Sequence, residues 1–192
     1  MSIDGGTDKP GHSLRLLLHI AMKHSSSEGL MGYITDNDLI VRTAAAREIQ
    51  SRSEQIYIVR ISSMLDSEYE RDREIAAFII GQFNFSDANL QNKNKEKLEN
   101  MLFIERSDDV LVSILSSLGN LADGHFTDQI GLFHNHKSPD VRISVVIALA
   151  RIIHRENREP SHQENFVLDQ SSKDRLRRVR EWTRTAQSII YC

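Results

Sequence analysis

Cysteine is almost missing from this chain of 192 residues: the one thiol, Cys192, is the last residue, which excludes an internal disulfide and any disulfide-stapled fold. Proline occurs three times and glycine nine times, and aromatic residues make up only 6% against 27% charged. A β-rich fold would call for more aromatic residues between turn signals, so the composition predicts an all-helical protein. No apolar run approaches the roughly 18 to 20 residues that a membrane span requires. The opening "MSIDGGTDKPGHS" lacks the basic region and apolar core of a secretory leader, and a cytoplasmic protein without a membrane segment is expected. Neither a G-x-S-x-G elbow nor a Gly-rich phosphate loop is present, and the lone cysteine is terminal, so nucleophilic catalysis has no visible constellation.

Negative charge is in short supply only near the end. From residue 151 onward nine Lys/Arg face six Asp/Glu, a balance of +3, whereas residues 1–150 hold fifteen against twenty-one, a balance of −6. An acidic body repels phosphate and favours basic partners. The basic tail reads either as a solvated helix face or as a polyanion contact.

What the chain does have is one phrase repeated. In "DNDLIVRTAAAREI", "DSEYERDREIAAFIIG", "RSDDVLVSILSSLG" and "KSPDVRISVVIALARI", apolar residues follow an anchor at Arg42, Arg73, Leu111 and Arg142 with helical periodicity. The anchors are 31, 38 and 31 residues apart. Shorter amphipathic segments, "EQIYIVRISSML", "KEKLENMLFI" and "TDQIGLFH", precede three of them, which makes each unit a helical pair. Aspartate or serine before each anchor helix suits its unpaired N–H groups, and Pro139 suits a first helical turn. Gly81 and Gly119 stand eight residues past their anchors, where a missing side chain lets neighbouring helices approach. The helix after Lys137 is apolar over most of its circumference, so it should be sandwiched between repeats. The recurring arginine is expected to pair with an aspartate in an adjoining turn.

The pattern carried by "DLIVRTAAAREI" and "DVRISVVIALA" resembles the short HEAT-like repeats of the type also found in phycobilisome lyases, over roughly residues 13–154. The resemblance implies a right-handed α-solenoid (α/α superhelix) of about four to five HEAT-like helical pairs. Residues 1–12 read as a disordered leader, 13–154 as the solenoid, and 155–192 as a degenerate terminal repeat or basic capping helix. In that last unit Leu176, Val179, Trp182, Ala186 and Ile189 share a helical spacing, with Arg175, Arg177, Arg178, Arg180 and Arg184 on the outer face.

The family spans adaptors, enzymes and nucleic-acid binders. Its hydroxylases hold iron with His-Glu dyads, and none of the eight histidines here is followed by glutamate. In "HNH", His134 and His136 would point about 200° apart on a helix, which argues against a shared metal and for solvated histidines at a helix end. No cofactor and no metal is expected. The second helices of such pairs line the concave side, and positions one, five and nine beyond each anchor share a face. There Arg47, Phe78, Gln82, Val112, Ser116, Asn120, Ile143, Ile147 and Arg151 would bind a partner through an apolar strip of Phe78, Val112, Ile143 and Ile147, unless it is buried between helices. The acidic run "DSEYERDRE", with Glu70, Asp72 and Glu74, and the pair Asp108 and Asp109 would form an acidic rim. The expected function is non-catalytic binding of a basic protein by a chain that is monomeric without its partner. Its most specific form is an immunity or antitoxin protein that blocks a cationic toxin such as a ribonuclease. The alternatives are nucleic-acid binding through the terminal arginines and a tetrapyrrole lyase-like activity.

Overall fold

The computed structural model describes residues 10–191, with side chains from Leu16 onward; residues 1–9 of the expected leader and Cys192 lie outside the described residues. Eleven α-helices and no strand occur among the described residues. The first, α1 (Pro10–His24), opens three residues before the expected start. Five pairs follow: α2 (Ser27–Tyr33) with α3 (Leu39–Arg52), α4 (Ile58–Met64) with α5 (Glu70–Ile80), and α6 (Ala88–Ile104) with α7 (Asp108–Leu121). Then come α8 (Thr127–Gly131) with α9 (Pro139–Glu156), and α10 (His162–Ser172) with α11 (Arg177–Ile190). No helix among the described residues is long and apolar enough to cross a membrane.

The second members stack side by side in chain order, and α1 lies against α3 where a preceding second member would stand. The described residues therefore form an all-α solenoid of five pairs preceded by α1. Helix α9 shows why its sequence is apolar nearly all round. Val141, Val145, Ala148, Leu149 and Ile152 join the main core, while Val146 and Ala150 face the other way, onto Leu168 of α10 and Ala186 of α11. A fully buried Val, Leu or Ile contributes about 1.5 to 3 kcal/mol, so helices buried on two sides hold the array together.

Two glycines set how closely the second helices approach. A Cβ on Gly81 would lie 2.6 Å from the Ser117 Cα on α7, and one on Gly119 would lie 2.9 Å from the Ala148 Cα on α9. The close approach lets the Ser117 hydroxyl donate to the Ala77 carbonyl at 2.7 Å in the buried α5–α7 contact.

The turn before each second helix is built the same way five times. A side chain two residues ahead of the helix cap accepts the cap residue's own N–H: Asp36 from Asp38 (2.8 Å), Ser67 from Tyr69 (3.2 Å), Glu105 from Ser107 (2.9 Å), His136 from Ser138 (3.2 Å) and Asp174 from Leu176 (2.8 Å). The anchor arginine then pins the turn from inside the helix. Its Nη1 donates to the carbonyls six and five residues earlier in Arg42, Arg73 and Arg142, at 2.8 to 3.2 Å. The other edge of the guanidinium reaches the next pair. Arg73 forks onto Glu105 at 2.7 and 3.0 Å, Arg142 forks onto Asp174 at 2.7 and 3.0 Å, and Arg42 Nη2 lies 3.8 Å from Glu74. Burial alone would raise the Glu105 and Asp174 carboxyls, but the arginine and backbone N–H bonds outweigh it and hold both below their usual range. Arg142 thus pairs with an aspartate of the adjoining turn as expected from the sequence, Arg73 with a turn glutamate instead, and Arg42 only approaches Glu74, which lies within α5.

At the far ends of the second helices, side chains from the next helix satisfy carbonyls that no longer have an intrahelical donor. Asn120 donates to Gly81 O at 3.0 Å, and Arg155 donates to Gly119 O, Asn120 O and Ala122 O at the end of α7. Arg158, after the left-handed Asn157 that ends α9, bridges Glu156 and Glu164 at 2.6 to 2.7 Å. Glu164 also completes a capping box with Ser161. Burial pushes the Glu164 carboxyl up, but bonds from Arg158, the Ser161 N–H and the Thr127 hydroxyl bring it down to about 2.

Three outcomes are expected. Gly81→Ala must part α5 and α7 and costs about 1 to 3 kcal/mol, read from the denaturant midpoint. Arg142→Ala orphans Asp174 and two carbonyls and costs about 3 to 5 kcal/mol, and a cycle with Asp174→Ala returns a coupling of comparable size. Because the folded Glu164 pKa lies below its ordinary 4.5, at about 2, the stability it supplies is present above about pH 4.5 and is lost as pH falls through about 2. Glu164→Gln makes that acid loss shallower in denaturation curves taken across the window; an unchanged slope refutes the assignment.

Candidate functional site

The stacking of the second helices puts the five turns before them on one edge of the array, and polar contacts stitch it: Arg71 Nη1 to Asn37 Oδ1 at 2.5 Å, and Arg178 Nη2 to Asp140 Oδ1 at 2.6 Å. Charge along this edge runs from acidic to basic. Asp36 and Asp38 lie in the first turn, Asp66, Glu68 and Glu70 in the second, and Asp108 and Asp109 in the third. Lys137 and Asp140 offset each other in the fourth, and Lys173, Arg175, Arg177 and Arg178 surround Asp174 in the fifth. Glu68, Glu70 and Asp109 are exposed and have no ion-pair partner among the described residues. Between the second and third turns is a groove of about 410 Å³, lined by Leu65, Asp66, Met101, Ile104, Glu105 and Arg106 among others. Ile104 on its lip is 76% exposed. Large exposed apolar residues inside a charged rim mark a recognition surface better than charge alone.

Not every residue assigned to the acidic rim is free to act. Asp72 accepts from the Ser67 hydroxyl at 3.0 Å, Asp108 lies 3.7 Å from Lys137 and 4.0 Å from His136, and Glu74 is tied to Arg42. Burial raises the Glu74 carboxyl, against the pull of Arg42 and with the push of Asp109. The accessible part of the rim is Glu70 and Asp109, joined by Glu68.

The apolar strip on the second helices follows its buried alternative rather than the partner-binding one. Ile143 is 5% exposed, and Phe78, Val112 and Ile147 are half-buried and packed against the core, because the closely spaced second helices use these side chains to contact each other. Their polar companions serve the same contacts. Arg151 reaches the Ser116 carbonyl and Asn120 Oδ1 at 3.4 Å, and Gln82, Asn120 and Arg151 share a broad open depression. Arg47 lies elsewhere, in a separate groove of about 280 Å³ between α1 and α3 with Leu18, Leu39 and Ile40.

From the third pair onward, exposed apolar side chains project from the first members or just after them, at Phe103 (53% exposed), Leu132 (67%) and Phe166 (47%), whereas on α3 Leu39 and Ile40 are exposed. Phe103 stands 6.3 Å from both Phe126 and Phe133, and Phe166 stands 5.9 Å from His134, edge to face. The phrase "LFI" ending the segment before Ser107 carried this signal in its three consecutive apolar residues, which one buried stripe cannot all satisfy. His134 and His136 are half-buried rather than solvated. His134 Nδ1 meets the Gly131 carbonyl at 2.8 Å, and His136 Nδ1 accepts the Ser138 N–H, so both have structural partners. No cluster of three or more metal-binding side chains occurs among the described residues.

The terminal arginines do not form one open face. Arg177 pairs with Glu181 at 2.6 Å and Arg178 with Asp140 while both stay exposed, Arg180 points into its own turn, and Arg175 and Arg184 are exposed without an ion-pair partner among the described residues. Trp182, expected inside, is 42% exposed, and Val179, Thr183 and Ala186 form the buried face.

No protein-family model matches the chain, and no curated protein matches it. Among solved structures, the fold is similar to the crystal structure of YibA from Escherichia coli, with a TM-score of 0.76 and 21% identity over 91% of this chain and 62% of that one. The chain thus spans less than two thirds of YibA, and likeness at this identity extends to the fold alone.

Proposed function

We propose that this protein works by binding, and that it captures a cationic protein along the acidic edge formed by its first three turns. The observation that carries the reading is the pairing of Glu68, Glu70 and Asp109, exposed and without internal partners, with the adjacent groove and its protruding Ile104. Free carboxylates steer a basic partner toward the edge and an apolar lip supplies the desolvated contact that holds it. The HEAT-like resemblance agrees with such a role.

In its specific form the partner is a toxic nuclease, and the chain is an immunity or antitoxin protein. A nuclease presents a cationic nucleic-acid-binding surface, and an acidic edge of this kind would cover it. The carboxylates that Glu181 and Asp140 set against Arg177 and Arg178 favour this reading over nucleic-acid binding, since they offset the positive charge that a phosphate contact would use.

The reading is tested by affinity capture from the native host, with and without nuclease treatment, followed by kinetics on the purified partner. Retention of a basic protein after nuclease treatment is expected, with an association rate that falls steeply with salt. Glu68→Lys with Glu70→Lys should slow association by roughly tenfold or more, and Ile104→Ala should mainly speed dissociation. A partner bound equally well by the charge-reversed protein would sink the proposal.

A further inference from the structure

One clamp in this array is built on one side only. Arg180 sits 38 residues after Arg142, at the anchor position of the last described pair. Its Nη1 donates to the carbonyls of Asp174 and Arg175 at 2.6 and 3.1 Å, the same two bonds that fix Arg42, Arg73 and Arg142. Arg73 and Arg142 turn Nε and Nη2 to a carboxylate 32 residues further on, Glu105 and Asp174, and Arg42 brings Nη2 within 3.8 Å of Glu74 while its Nε meets no acceptor. The Nε and Nη2 of Arg180 meet no acceptor among the described residues, so a half-buried guanidinium is held in the clamp orientation with its fork open.

Leu176 and Trp182 are exposed nearby, but the face that would meet a next second helix is polar. Where α9 offers Ile143, Val146, Ile147 and Ala150 to its neighbour, α11 has Glu181, Arg184, Thr185 and Ser188 at the matching places, all exposed. An apolar helix has no seat there, and recognition at this end runs through charge.

We propose that this basic end docks on the acidic turn edge of a second copy of the chain, with Arg180 closing its clamp on a carboxylate there. Within the chain the forked carboxylates are both turn residues, Glu105 and Asp174, so an arginine of this kind is shaped for a turn carboxylate. The free carboxylates of the described turns, Glu68, Glu70 and Asp109, lie on that edge, and Arg175 and Arg184 supply matching positive charge beside Arg180. The contact joins two different surfaces, head to tail, and so can propagate. It departs from the expected monomer. It rests on the acidic edge being a binding surface, as in the previous subsection, but requires no foreign partner.

Sedimentation velocity of the full chain alone tests it. Concentration-dependent association at low salt, dispersed by added salt, is expected. Arg180→Gln, and separately Arg184→Glu, should weaken association by roughly tenfold or more, as should Glu68→Lys with Glu70→Lys. Arg184 makes no turn contact, so it serves if Arg180→Gln fails to fold by circular dichroism. Mixing the Arg184→Glu protein with the Glu68→Lys, Glu70→Lys protein should restore a one-to-one complex that grows no further, because one intact end meets one intact edge. A chain that stays monomeric at low salt, association indifferent to salt or to these reversals, or a mixture that stays monomeric overturns the proposal. Capture of a basic partner is measured independently of all three, so failure here leaves the function reading standing, and the reverse.

Discussion

The array depends on a planar guanidinium that can hold two things at once. Arginine offers five N–H donors in a fixed plane, and Arg73 and Arg142 spend one nitrogen on the carbonyls of their own turn and the other two on the next pair. Lysine could neutralise the carboxylate but could not also set its direction. Each clamp therefore fixes the turn conformation and the spacing to the neighbouring turn together. Because Glu105 and Asp174 in turn accept the N–H groups that shape their own turns, position is passed from pair to pair along the edge.

At the joint between the third and fourth pairs both halves of the relay are missing. Leu111 replaces the arginine, and the turn that it would have reached carries His136 in place of a carboxylate. A guanidinium facing an imidazole would have been a buried charge without a counter-charge, so the two substitutions belong together. Packing supplies the connection instead. Gly119 lets α7 and α9 approach backbone to side chain, and Arg155 ties the far end of α7.

Helix pairing, the anchor positions and the two close-approach glycines were legible in the sequence, because each leaves a mark at fixed spacing: apolar residues at three, four and seven, arginine at the start, glycine at plus eight. Arg180 as a fifth anchor was not. It sits among Arg175, Arg177, Arg178 and Arg184, and in a cluster of like residues no single one shows a positional role. The binding surface was legible only by half. Acidity of the turns could be read directly, yet whether Phe78 or Ile143 faced solvent depended on how tightly second helices pack, which is a property of neighbours far apart in the chain. Ile104 escaped for the converse reason: at the last turn of α6 its periodicity suggests burial, and only the neighbouring turn reveals that nothing covers it.

The gap at Leu111 also has a mechanical meaning. Every other joint from the second to the fifth pair is braced at the turn edge by a forked ion pair, whereas the third and fourth pairs meet there through Asp108, His136 and Lys137 at 3.7 to 4.0 Å. Their firm ties, from Arg151 and Arg155, lie toward the opposite end of the helices. A joint bound along one margin and loose along the other flexes like the spine of a book. Among the joints from the second to the fifth pair, the turn edge should therefore part most easily here, opening the acidic half of the edge relative to the basic half while the packed faces of α7 and α9 stay in contact.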